Sequence, residues 1–131
     1  GNFLFAPKAS SQHANMPTLV VNTNVPQSRV DNSDTLKALS QTMTAQLGKP
    51  ETYVEIVLHC GVPMMFGGTE EPAAFCELIC LGVIGGEKNK TVSAAVMGVL
   101  QQKLGVPPNR TYIRFNDPAR SDFGWNMSTF G

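Results

Sequence analysis

The residues of this chain that could do chemistry begin with a pair. Met16 and Pro17 stand directly ahead of the apolar, β-branched run "TLVV". A proline has no backbone donor, so it can open a strand without breaking a ladder. Met followed by Pro is also how a gene product begins. The difference matters chemically. A proline at a chain start carries a secondary amine. A proline that follows Met16 carries a tertiary amide, with no basic lone pair and no proton to give.

The other reactive types are poorly placed for chemistry. Cys60, Cys76 and Cys80 are odd in number, and too few for a disulfide framework. Cys76 and Cys80 fall in "FCELICLGV", which reads as strand. Four strand residues span about 13 Å, whereas bridged Cα atoms lie within about 7 Å. Reduced, packing cysteines are expected. His59 has no cysteine or carboxylate at ligand spacing, so no metal site is expected. Asn89, Asn109 and Asn126 open N-x-S/T sequons, read as chance without a secretory signal.

A length of 131 residues suits one domain. Ten basic residues balance ten acidic ones, which argues against a phosphate-tracking nucleic-acid binder. No apolar run reaches the roughly 18 residues of a membrane span. "FLF" is too short for a signal-peptide core of about 7 residues or more. Residues 1–16 lack periodicity and read as an expression remnant or N-terminal extension that ends in an initiator, Met16. Residues 17–131 read as the single domain. The expected location is cytoplasmic, with secretion that uses no signal peptide as the alternative.

"PTLVVNTNV" reads as a strand closed by Asn24 and Pro26. Leu36, Leu39, Met43 and Leu47 then form a helical stripe, with Ser33 as N-cap, Asp34 in the first turn and Gly48 as the stop. "TYVEIVLHC" is a second strand, and a short strand is expected near Met64–Phe66. The second half repeats the pattern: strand "FCELICLGVIGG", helix "NKTVSAAVMGVLQQKLG" with Val92, Val96, Val99 and Leu100 near one face, strand "RTYIRFND". "LGKPETYVEIV" sits beside "LGVPPNRTYIRF" at an offset of 57 residues, Leu47 to Leu104. The repeat covers about 17–60 and 75–117. Each strand–helix–strand unit predicts a parallel pair with a right-handed crossover. Alternation puts Ile113 and Phe115 on one face and Tyr112 and Arg114 on the other. Cys76, Leu78 and Cys80 likewise oppose Phe75, Ile79 and Leu81. Two helices on one face leave the other bare, which predicts an oligomer that covers it.

From Pro17 onward the chain resembles the macrophage migration inhibitory factor family, which includes D-dopachrome tautomerase. The resemblance is carried by "MPTLVVNTNVP", "GKPETYV", "FGGTEEPAAFCEL", "LGVIGG", "PNRTYIRF" and "FGWNMSTF", in order. It implies an α/β fold: two pseudo-symmetric β-α-β units forming a four-stranded mixed sheet, two helices on one face and short extra edge strands. It implies a homotrimer around a central channel, and no cofactor. It also implies keto–enol tautomerisation of phenylpyruvate-like, and dopachrome-like, substrates. Pro17 would be the catalytic base once Met16 is removed. Lys49 would hold the carboxylate of a small aromatic 2-oxo acid, and Leu81 would offer it a backbone N–H. Tyr112, from a neighbouring subunit, would add a hydroxyl. Trp125 and Phe130 would wall the ring, with Tyr53 at the rim.

Three positions depart from the family. Arg114 stands where vertebrate members have Asn, sharing a face with Tyr112, so either a pocket role or a surface ion pair is open to it. Phe123 is bulkier at the pocket mouth. Ala73 replaces the first cysteine of a Cys-x-x-Cys motif, so no oxidoreductase activity is expected. The alternative function is a cytokine-like homotrimer with a vestigial pocket, whose partner is a receptor or host protein.

Overall fold

The β-branched run after Pro17 forms strand β1, Thr18–Thr23, with strict inside–outside alternation. The computed structural model describes residues 16–82 and 84–131, and the expectation for residues 1–15 falls outside them. β1 leads through a 3-10 turn at Gln27–Arg29 into helix α1, Asn32–Leu47. A second 3-10 turn, Glu51–Tyr53, precedes β2, Glu55–His59. The second unit follows as β3, Ala74–Ile79, then α2, Gly86–Leu104, a 3-10 turn at Pro108–Arg110, and β4, Thr111–Asn116. A turn at Arg120–Asp122 leads to a small hairpin, β5 (Gly124–Trp125) with β6 (Ser128–Thr129).

The main sheet runs β2-β1-β3-β4. β1 and β2 are parallel from Thr18 with Glu55, and β3 and β4 are parallel from Ala74 with Thr111. β1 and β3 are antiparallel in the centre. The sheet is therefore mixed, with one crossover unit on each side. The repeat of 57 residues relates matching features. The buried stripe Thr35, Leu39, Met43, Leu47 corresponds to Val92, Val96, Leu100, Leu104. The left-handed C-cap Gly48 corresponds to Gly105, where glycine avoids the steric cost of positive φ.

Both helices cover one sheet face. Leu19, Val21, Cys76 and Leu78 from the strands join both helical stripes in one core, each fully buried. The helices run antiparallel: Lys103 pairs with Asp34 at 2.8 Å, and Lys88 donates to the Gln46 carbonyl at 2.9 Å. The second contact satisfies a C-terminal carbonyl and complements the helix dipole.

The opposite face carries Thr18, Val20, Asn22, Glu55, Val57, His59, Phe75, Glu77, Ile79, Tyr112, Arg114 and Asn116, all half-buried or exposed. Neither helix covers it, as alternation predicts; the tail aromatics meet it at Thr18 and Glu55, and Phe66 meets it at Tyr112. It is also more polar than expected. His59 meets Asn22 at 2.9 Å, and Arg114 meets Glu77 at 3.4 Å. Leu81 does not belong to it. β3 ends at Ile79, Gly82 turns at φ +83, and Leu81 is buried, so alternation does not extend that far.

Other sequence expectations shift locally. α1 is capped by Asp31, whose side chain accepts from the Asp34 amide at 3.1 Å, and Ser33 lies inside the helix. α2 starts at Gly86, and the Asn89 side chain accepts from the Gly85 amide at 2.7 Å. The short strand near Met64–Phe66 is a single bridge between Phe66 and Thr69. The cysteines are free thiols.

Arg110 fixes the segment from Phe66 to Pro72. Its guanidinium donates to the carbonyls of Pro72, Phe66, Thr69 and Glu71, between 2.9 and 3.3 Å. The Phe66 ring lies 5.3 Å from that guanidinium and 4.9 Å from Tyr112. Four acceptors in fork geometry need a guanidinium rather than an ammonium.

Two stability outcomes are expected from urea unfolding followed by circular dichroism. Asp31→Ala costs about 1 kcal/mol while Ser33→Ala costs less than about 0.5. The reverse order would return the cap to Ser33. Arg110→Ala costs about 2 kcal/mol, and Arg110→Lys recovers little of it.

Candidate active site

Pro17 enters β1 at the point where it costs the sheet nothing. Its carbonyl accepts from the Glu55 amide at 3.0 Å, which continues the parallel pairing one step past Thr18. The antiparallel register, Thr18 with Ile79, places Pro17 opposite Cys80. Both Pro17 and Met16 are buried.

Met16 lines a cavity of about 250 Å³. Four aromatic side chains form much of its wall: Tyr53, Phe123, Trp125 and Phe130. Each is delivered by a short irregular element. Tyr53 closes the 3-10 turn that follows α1. The other three belong to the C-terminal hairpin, whose turn residues Asn126 and Met127 both have positive φ. That pair of left-handed residues matches the type I′ geometry that twists with its strands. The Phe130 amide returns to the Phe123 carbonyl at 3.2 Å and locks the tail. Phe130 then stacks with Phe123 at 5.9 Å and with Trp125 at 6.1 Å.

The same cavity is lined by Thr18, Thr52 and Glu55. The Thr18 hydroxyl donates to Glu55 Oε1 at 3.2 Å. The sequence reading missed these three. Their signal was present for Thr18 and Glu55: they are parallel partners on one face, beside Pro17 and Tyr53.

The remaining expected residues do not line this cavity. Lys49, half-buried after the Gly48 cap, lies close enough to Cys80 for its charge to act on the thiol. It therefore shares the Pro17 end of the sheet. Leu81 is buried just past Cys80, the register partner of Pro17. Tyr112 is different. It sits on the edge strand β4, two strands across and five residues along from the Pro17 level. Strand spacing and rise make that about 19 Å. Within one chain it cannot share the cavity. Arg114 lies on the same face as Tyr112 and is engaged by Glu77.

With this geometry in view, comparison with known proteins is direct. The profile described as macrophage migration inhibitory factor (MIF) matches residues 16–131. The chain belongs to the macrophage migration inhibitory factor family. That makes it a cytokine-like member of the tautomerase superfamily. A family homolog from Trichuris trichiura is 45% identical over 88% of this chain and 100% of its own length. The Mus musculus protein is 38% identical over 88% of this chain and 99% of its own. The crystal structure of the Prochlorococcus marinus homologue superposes with a TM-score of 0.82 at 40% identity, covering 87% of this chain and 99% of that one. A second structure, from Trichinella spiralis, gives a TM-score of 0.81 at 37% identity, over 86% of this chain and 98% of that one. No helix among the described residues is long and apolar enough to cross a membrane.

Two buried thiols are held neutral, Cys80 level with Pro17 and Cys76 within the core. Burial pushes Cys80 up to about 11; Asp117 adds to this, and Lys49 opposes it. Burial alone pushes Cys76 up to about 12. A raised folded value means the stabilisation is complete below the ordinary 9.0 and is lost as pH rises through the folded values. Stability is expected to fall between pH 9 and 12, with a shallower fall in Cys76→Ala and in Cys80→Ala. Urea midpoints across that range measure it, and equal slopes in parent and variants would refute it.

Proposed function

We propose that this chain is a keto–enol tautomerase of aromatic 2-oxo acids, working through the Pro17 nitrogen after Met16 is removed. The observation that carries this is the position of Met16. The residue joined to the Pro17 nitrogen lies in an aromatic-walled cavity. Cleaving it would leave a secondary amine and, beside it, room for a ring.

The chemistry follows from that amine. Burial disfavours the ammonium form, and the Lys49 cation disfavours it further. A neutral proline can then take the C3 proton of the keto acid while the carbonyl oxygen at C2 gains one, giving the enol. The reverse transfer restores the ketone. No atom is lost and no redox partner is needed. Lys49 holds the substrate carboxylate, with the Leu81 N–H beside it. Tyr53, Phe123, Trp125 and Phe130 enclose the ring. Tyr112 and Arg114 reach the site from the neighbouring subunit of a homotrimer, whose contacts cover the bare sheet face. Phenylpyruvate is the natural test substrate, and dopachrome-like compounds are a second class.

While Met16 remains attached, the Pro17 nitrogen is an amide and the chain is inactive by this route. The ultraviolet signal of phenylpyruvate tautomerisation tests both statements. Met16-free protein is expected to turn over, and Pro17→Gly to lose about 100-fold or more, the usual worth of a positioned general base. The intact chain, verified by mass, should stay at background. No rate above background with Pro17 freed, and Pro17→Gly matching the parent, would sink the enzyme reading. That outcome would favour a cytokine-like binding protein with an idle pocket.

A further inference from the structure

We infer that Asp117 is a positioning residue: its carboxylate clamps the turn at Leu81 and Gly82 so that the Leu81 N–H meets the acid group of a ligand; this rests on the 2-oxo acid reading proposed above. The sheet puts Asp117 in place. β3 and β4 pair in parallel as far as Ile79 with Asn116, and the Cys80 amide donates to the Asn116 carbonyl at 3.0 Å. One step further, Asp117 stands level with Cys80, and Cys80 is level with Pro17 on its other side. β1, β3 and β4 thus bring Pro17, Cys80 and Asp117 into one row.

Beyond Cys80 the chain leaves the sheet. Leu81 is buried, and Gly82 turns at φ +83. The Gly82 amide donates to Asp117 Oδ1 at 3.1 Å. An ionised acceptor makes this one of the stronger backbone hydrogen bonds. The amides of Cys80 and Gly82 are therefore both tied to the end of β4. The Leu81 amide lies between them, with no acceptor among the described residues. A buried backbone donor without a partner is costly, so a fold that keeps one holds a place for an acceptor. The charges nearby say which kind. Burial is the main force on the Cys80 thiol; Asp117 raises it further and Lys49 lowers it. A carboxylate and an ammonium thus flank one residue level with Pro17. The Gly82 amide engages the carboxylate, and the Lys49 cation attracts an incoming anion beside the Leu81 donor.

Asp117 is exposed beyond the end of β4, so truncating it spares the core. Two readouts on Met16-free protein test the clamp. The first needs no turnover: isotope-labelled protein is titrated with 3-phenylpropionate and followed by NMR. In the parent, the Gly82 amide is expected to exchange slowly with deuterium, and the Leu81 amide to shift as the acid binds. Asp117→Ala should lose about tenfold in Gly82 protection and about tenfold in acid affinity, the scale of a hydrogen bond to a charged group. Asp117→Asn keeps an oxygen in the same place and should recover most of both. The second readout is phenylpyruvate kinetics. A carboxylate contact remote from the reacting carbon acts alike in ground and transition states. Asp117→Ala should therefore raise KM about tenfold and leave kcat within about threefold. Equal Gly82 protection or equal acid affinity in parent and Asp117→Ala overturns the inference. So does a loss confined to kcat, a Leu81 amide that stays still as acid binds, or no recovery in Asp117→Asn. Asp117-dependent acid binding in a protein that turns over no 2-oxo acid would uphold the clamp while refuting the tautomerase.

Discussion

Six residue pairs, from Thr18 with Ile79 to Thr23 with Ala74, join the two β-α-β halves along the middle of the sheet. Each half contributes a parallel pair and one helix. Their antiparallel seam brings Leu19 and Val21 beside Cys76 and Leu78, so that both helical stripes close over one continuous core. The same seam fixes the level of Pro17. It lies opposite Cys80, one step beyond the last pair, and its position on the sheet determines what can surround it. A slip of one residue would turn the core face outward and move Pro17 from its neighbours. The surroundings of Pro17 and the stability of the fold are therefore set by one register.

That register also explains why the site has two characters. Pro17, Lys49 and Cys80 belong to one end of the sheet, where strands and a helix C-terminus meet. The aromatic walls come from elsewhere, from turns and from the tail hairpin. By strand spacing and rise, Tyr112 lies about 19 Å away and Arg114 about 14 Å, both exposed on an edge strand. A single chain holds Pro17, the Lys49 cation and an aromatic-walled cavity. Its other polar candidates face outward.

Much of this was readable from the residues. Helical stripes ending in Gly48 and Gly105, 57 residues apart, located both helices, and alternation separated Tyr112 and Arg114 from Ile113 and Phe115. What escaped had physical reasons. Asp31 and Ser33 are both good cap residues, and spacing alone does not choose between them. Helix α2 starts before its apolar stripe, because Asn89 supplies a cap acceptor from inside. Alternation failed at Leu81 because a strand's period ends with the strand. The 3-10 turns and the two-residue strands are too short to leave a period. The grouping of Tyr53 with Phe123, Trp125 and Phe130 came from family resemblance, since residues so distant in sequence carry no local sign of meeting. Glu55 was missed because strand pattern gives a face, and only the folded tail shows that this part of the face is roofed.

The 57-residue relation reaches beyond strands and helices, into the segments that leave them. Phe66-Gly67 corresponds to Phe123-Gly124, and each opens a tight reversal: one bridge from Phe66 to Thr69, one hairpin from Gly124 to Thr129. Each reversal crosses to the corner of the other half. The first lands on Arg110 and Tyr112, the counterparts of Tyr53 and Glu55. There the guanidinium fills the corner and ties down four carbonyls. The second lands on Tyr53 and Glu55 themselves, with no arginine beneath it, and a hollow remains. One architectural corner thus occurs twice in the molecule, once plugged and once vacant. The exchange of a tyrosine for an arginine separates a structural joint from a place where a ligand can sit.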